Sequence, residues 1–163
     1  MAEACARLGC PNPYLALESV DAPKEVWWFV EHTDEAAIER LGRAYAANPP
    51  LLAALNELAA QKNGIAEQPV EHIMKYRSAR SVAVAWRVGS DEFVVIAVGA
   101  EGGAVFESAS LTRLAVVSTP SLDDARAAAA RLGSSARIFR ARPSWSRAAE
   151  AWLAANPTLW GKP

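Results

Sequence analysis

Residues 80–98, RSVAVAWRVGSDEFVVIAV, constrain the fold of this chain more than any other stretch. Val82, Val84, Trp86 and Val88 alternate with Ser81, Ala83, Ala85 and Arg87. Strict period two is the mark of a strand covered on one face. Gly89-Ser90-Asp91 supplies turn chemistry, because Gly tolerates positive φ and Asp bonds its own backbone. The return run from Phe93 to Val98 is apolar on both faces and belongs inside a sheet. The stretch therefore predicts an antiparallel hairpin at the centre of one sheet.

The other elements follow from the same patterns. Residues 25–31, EVWWFVE, read as a strand with Val26, Trp28 and Val30 on one side and Trp27 and Phe29 on the other, which calls for cover on both faces. His32-Thr33-Asp34-Glu35 opens a helix with Thr33 as its cap and two acids at the positive dipole end. Ile38, Leu41 and Tyr45 form its buried stripe. Asn48-Pro49-Pro50 stops that helix, and Pro50 starts a second one carrying Leu51, Leu52, Leu55 and Leu58, with Gly64 as its C-terminal cap. Further strands are expected over 70–76, 104–107, 111–117 and 137–141, with a hairpin turn at Gly99 to Gly103. A helix starts at Ser121-Leu122-Asp123-Asp124, a capping-box variant, and ends at Gly133. A last helix from Pro143 would place Trp145 and Trp152 on one side, and Asn156-Pro157 would end it. Pro11, Pro13 and Pro23 make residues 1–24 an irregular arm, anchored by Tyr14, Leu15 and Leu17. Residues 25–163 then form a single α+β domain. Its fold class is one antiparallel sheet of five to seven strands with helices packed on it, compatible with an elaborated ferredoxin-like core.

At 163 residues the chain suits one domain with a real core. A net charge of −1 excludes polyanion binding by bulk electrostatics. The halves differ, with 11 acidic and 6 basic residues in 1–75 against 7 and 11 in 76–163. No apolar run is long enough to span a membrane and no signal peptide is visible, so the expected location is cytoplasmic. Cys5 and Cys10 accordingly read as plain thiols. Two Cys and two His lack the spacing of a zinc site. No phosphate-binding glycine loop, dinucleotide fingerprint or nucleophile elbow occurs, so neither metal nor cofactor is expected.

Three places can carry chemistry. His32, beside Glu31, Asp34 and Glu35, has the neighbours of a general base, although the same acids suffice as helix-dipole partners. His72 is the other histidine and shares strand parity with Val70, Met74 and Tyr76. Tyr76 and Arg80, with Trp86 nearby, can hold a carboxylate or phosphate. Arg137, Arg140, Arg142 and Arg147 around Trp145 suggest nucleic acid, but the slightly acidic chain and the lack of a recognised module weigh against it. Of the six tryptophans, Trp27 and Trp28 must point to opposite faces, one into the core and the other into a pocket or a subunit contact. The leading expectation is a non-catalytic domain that forms a homo-oligomer or binds a protein partner through an aromatic sheet face. The alternative is a binder or enzyme for a small apolar ligand, in a pocket lined by Trp28, Tyr76, Arg80 and Trp86, with His32 and His72 as polar groups. A nucleic-acid accessory role comes third.

Overall fold

The computed structural model describes residues 2–61, 73–77, 89–109 and 112–161. In chain order these form α1 (Ala2–Leu8), β1 (Leu15–Ser19), β2 (Val26–Phe29), α2 (Glu35–Ala46), α3 (Pro49–Gln61), β3 (Met74–Tyr76), β4 (Phe93–Val98), β5 (Ala104–Ser108), β6 (Arg113–Thr119), α4 (Leu122–Leu132), β7 (Ala136–Ala141), α5 (Glu150–Ala155) and α6 (Pro157–Trp160). The strands make one sheet in the order β2-β1-β7-β4-β6-β5-β3, and every neighbouring pair is antiparallel. The fold is α+β, a single antiparallel sheet with helices packed on it. The sheet curls: Lys75, on the outer strand β3, pairs with Glu35 of α2, the helix that follows the opposite outer strand.

The doubly apolar run 93–98 sits in the middle of the sheet, as its composition requires. Val94 and Ile96 join Leu15, Leu17, Leu114, Val116 and Phe139 on one face, closed over by Trp152 and Trp160 from the C-terminal helices. Val95 packs on the other face with Ile138 and with Ala125 and Ala128 of α4. The hairpin expected with 80–88 does not form around this strand. Both edges of β4 are taken from Phe93 to Ala97, one by β6 and the other by β7, and residues 78–88 lie outside the described ones.

Gly99 to Gly103 is not a hairpin turn either. β4 and β5 both run antiparallel to β6 and flank it, so they are parallel to each other and the glycine segment crosses over β6. A crossover this short must hug the strand beneath it. A Cβ on Gly103 would stand 2.5 Å from the Val116 carbonyl oxygen, and its φ is +70°. On the other side, β6, α4 and β7 form a split β-α-β unit with β4 between its two strands, the unit from which ferredoxin-like cores are built.

Residues 1–24 are not irregular. They contain α1 and an inner strand, β1, which is paired on both edges with β2 and β7. The prolines stand at the turns and leave 15–19 free to extend. Cys5 and Cys10 are not thiols: they form a disulfide across the end of α1, and both are 2% exposed. The thiol reading rested on compartment, whereas the turn after α1, where the Gly9 and Cys10 amides both donate to the Cys5 carbonyl, brings the two residues together.

Local signals held with small shifts. Asp34 rather than Thr33 caps α2, its Oδ1 accepting from the Ala37 amide at 2.7 Å. Asn48 caps α3 through the Leu51 amide, so Pro49 and not Pro50 is the first helical residue. Ser121 caps α4 and Gly133 ends it at φ 94°. The expected last helix is broken into a 3-10 turn, Pro143–Trp145, followed by α5 and α6. The reason is sheet pairing. Ser146 Oγ accepts from the Ala16 amide, and Arg147 exchanges two backbone bonds with Tyr14, which forces 146–147 to extend. Asn156 ends α5, as expected, its amide donating to the Trp152 carbonyl at 2.9 Å, and also starts α6 by accepting from the Leu159 amide.

Trp160 Nε1 donates to the Gly89 carbonyl at 2.6 Å, and a Cβ on Gly89 would lie 2.6 Å from the Trp152 ring. Gly103→Ala and Gly89→Ala should each lower stability by about 2–4 kcal/mol, combining backbone strain with steric overlap. Gly99→Ala, at φ +73° but with nothing within 4 Å, should cost only about 1–2 kcal/mol. Urea unfolding midpoints of the three variants would check this ranking.

Candidate functional site

β2 was expected to be covered on both faces. It lies at the end of the sheet, where its inner face is partly covered and its outer face exposed. Trp27 and Phe29 turn inward, and Trp27 meets Phe139 at 5.4 Å between ring centroids. Val26, Trp28 and Val30 are 37%, 44% and 40% exposed. The helices near this outer face are α1, α2 and α3. They pack on one another through a small core of Cys5, Cys10, Tyr14 and Leu51, with Tyr45 and Leu55 at its margin.

Between β2 and that helical layer lies a cleft of about 330 Å³. Trp28 and Val30 supply one wall, and Leu55, Tyr45 and the Cys5 half of the disulfide supply the other. Tyr14 and Asn12 complete the lining. The two phenols differ in their bonding. Tyr45 Oη donates to Asn12 Oδ1 at 2.9 Å, while Asn12 Nδ2 donates to the Pro13 carbonyl. Tyr14, only 5% exposed, has a buried Oη with no hydrogen-bond partner among the described residues. Burial pushes the Tyr14 pKa up, the nearby Tyr45 adds to the rise, and the Arg147 guanidinium offsets part of it. Tyr45 is raised by burial as well, again partly offset by Arg147. A buried hydroxyl left unbonded is costly, and this one is covered by protein atoms instead of opening into the cleft.

Of the residues expected to carry function, Trp28 lines this cleft. His32 lines a neighbouring open groove of about 270 Å³ with Arg40 and Leu41, and Asn12 borders both spaces. Two of the three carboxylates proposed to assist His32 are engaged elsewhere. Asp34 caps α2 and lies 3.4 Å from Arg40, and Glu35 is held below the usual carboxylate range by its hydrogen bond and ion pair with Lys75. Tyr76 does not line the cleft; its ring packs on Phe106 at 5.5 Å. His72, Arg80 and Trp86 lie outside the described residues. Among the described residues no group of three or more His, Cys, Asp or Glu is placed to hold a metal ion, and no helix is long and apolar enough to cross a membrane.

Three of the four late arginines are matched by carboxylates. Arg137 pairs with Glu25 at 2.9 Å, Arg140 with Glu92 at 2.6 Å and Arg142 with Glu18 at 3.5 Å. Arg142 also lies over the Trp145 ring, 4.6 Å from its centroid. Sequence reasoning missed Asn12, Tyr45 and Leu55 as site residues and treated Tyr14 as an anchor only. Their common signal was faint: Tyr14 alternates with Leu15 and Leu17, the pattern of an inner strand, but the flanking prolines obscured it. No protein-family model, curated protein or solved structure matches this chain, so the reading of the cleft rests on its own geometry.

The sign of the tyrosine effect is testable. A folded-state pKa raised above the unfolded value of 10.0 keeps its stabilising contribution below that pH and loses it as pH climbs through the folded value. Stability should therefore decline from about pH 10 upward. Tyr14→Phe should flatten that decline and, by removing an unbonded buried hydroxyl, raise neutral-pH stability by about 1 kcal/mol. Urea midpoints across an alkaline pH series would read both effects.

Proposed function

We propose that this chain is a binding module whose site is the cleft between β2 and the α1–α3 layer, and that its ligand is a small molecule with an apolar body and one hydrogen-bonding group. What supports this reading is the convergence of Trp28, Val30, Tyr45 and Leu55 on one largely apolar cleft, with Asn12 as a polar side chain on its lining. The cleft volume is at the lower end of ligand pockets, which run from about 300 to 1,000 Å³ and are lined mainly by hydrophobic and aromatic side chains with few polar groups. The reading assigns no reaction.

The probe for this reading is naphthalene-2-carboxamide, neutral and apolar with a single polar end. It should raise the melting temperature in a saturable way and change the tryptophan fluorescence, since Trp28 lines the site. Leu55→Trp should fill the cleft and abolish both responses while leaving the circular dichroism unchanged. A wild-type protein indifferent to the probe, or a Leu55→Trp protein that binds it as well as wild type, would sink the reading.

A second reading has its own support. The outward row Val26, Trp28 and Val30 is an apolar aromatic stripe, the kind of surface that associates with another copy or a protein partner. If that stripe is an interface, sedimentation velocity should show a mass that rises with concentration, and Trp28→Glu should hold the protein at a single monomer mass. A concentration-independent monomer would exclude the self-association.

A further inference from the structure

The helical layer that walls the cleft has very little interior of its own. Its core consists of Cys5, Cys10, Tyr14 and Leu51, and Tyr14 belongs to the approach of the sheet strand β1. α2 contributes no buried residue and α3 contributes only Leu51. The rest of that core is the two halves of one disulfide. α1 has seven residues, well short of the roughly 12–15 that an isolated helix needs to persist in water. Cys5 is its buried anchor, with Ala4 and Leu8 half-buried beside it. Its other ties are polar: Asn48 Nδ2 donates to the Leu8 carbonyl at 2.8 Å, and the Gly9 and Cys10 amides both donate to the Cys5 carbonyl. The sheet, by contrast, is held by a separate and larger core under Trp152 and Trp160. Cys5 also lines the cleft, so whatever holds α1 in place holds part of the cleft wall.

We infer that the Cys5–Cys10 disulfide is a redox switch for the cleft: reduction releases α1 from the layer and dismantles that wall, and reoxidation rebuilds it. The consequence for ligand rests on the cleft being a binding site; the release of α1 does not. The co-reactant is a dithiol. One of its thiolates attacks one half-cystine sulfur, a mixed disulfide forms, and the other half-cystine leaves as a thiolate. The second thiol of the reductant then attacks its own sulfur in the mixed disulfide and frees the remaining cysteine. Two electrons and two protons pass to Cys5 and Cys10, and the reductant departs as a disulfide. Both cysteines are 2% exposed, so the exchange starts from a layer that has opened locally, not from the closed one. Cutting the bond restores chain entropy to the turn through Gly9, which favours the open layer further. A ligand in the cleft binds the closed layer and should slow the reduction.

The experiment follows hydrogen exchange by mass spectrometry in the full chain, oxidised and then reduced with dithiothreitol, with thiols counted by Ellman's reagent. Two thiols should appear on reduction. Amides of residues 3–10 should then exchange about tenfold faster or more, while β4, β6 and β7 keep their protection. Oxidised dithiothreitol should restore the slow exchange. The double variant Cys5→Ala, Cys10→Ala should match the reduced protein and ignore dithiothreitol; if it does not fold, the reduced wild type still decides. Affinity for naphthalene-2-carboxamide should fall about tenfold or more on reduction, and the carboxamide should slow the appearance of thiols. Unchanged protection of residues 3–10 after two thiols have been counted would overturn the switch, as would a bond that excess dithiothreitol leaves intact in the folded protein. Carboxamide affinity that is equal in the two redox states would overturn its control of the cleft. An oxidised protein that does not bind the carboxamide would remove the cleft reading, and the exchange data would still decide the release of α1.

Discussion

Strand β1 is hydrogen-bonded along both edges, and much of the molecule depends on that placement. An inner strand must bury side chains above and below. Leu15 and Leu17, both fully buried, go into the large core under Trp152 and Trp160. Tyr14 and Ala16, of opposite parity, face the other side, where Tyr14 joins the disulfide and Leu51 in the helical layer. One five-residue strand thereby ties the sheet to the α1–α3 layer. It also holds β2 at the position where Trp28 and Val30 face a cleft instead of a core.

The polar groups around β1 show how unusual the Tyr14 hydroxyl is. Ser19 Oγ is bonded to Pro23 and accepts from the Glu25 amide, and Ser146 Oγ links the Ala16 amide to the Arg142 carbonyl. Both residues are buried, and both are satisfied. Tyr14 is as buried as they are and is not. Phe at this position would pack equally well without a desolvated hydroxyl.

The sheet was legible where pattern alone determines structure. The doubly apolar run 93–98 announced an inner strand, and Ser121 and Gly133 bracketed a helix through capping chemistry that acts within a few residues. Partner choice was not legible. Antiparallel neighbours close in sequence predict hairpins, yet β4 pairs with β6 and β7, and its link to β5 passes over β6 so closely that Gly103 leaves no room for a Cβ. The C-terminal segment looked like one helix because Trp145 and Trp152 have helical spacing, but two backbone bonds to Tyr14 outweighed that local preference.

The candidate site divides along the same line. By itself the sequence determined which segments are apolar on one side or both, where helices begin and end, and that Trp27 and Trp28 must part company across a strand, because these follow from side-chain period and from bonds to near neighbours. Only the tertiary structure decided that Trp28 is the one turned toward an open cleft, and that Tyr14, Tyr45 and Arg147 come near one another. Those residues lie 31 and more positions apart, and nothing local couples them. Their meeting is set by which strand edges pair, and that choice is made by the whole sheet at once, through the burial of both its faces.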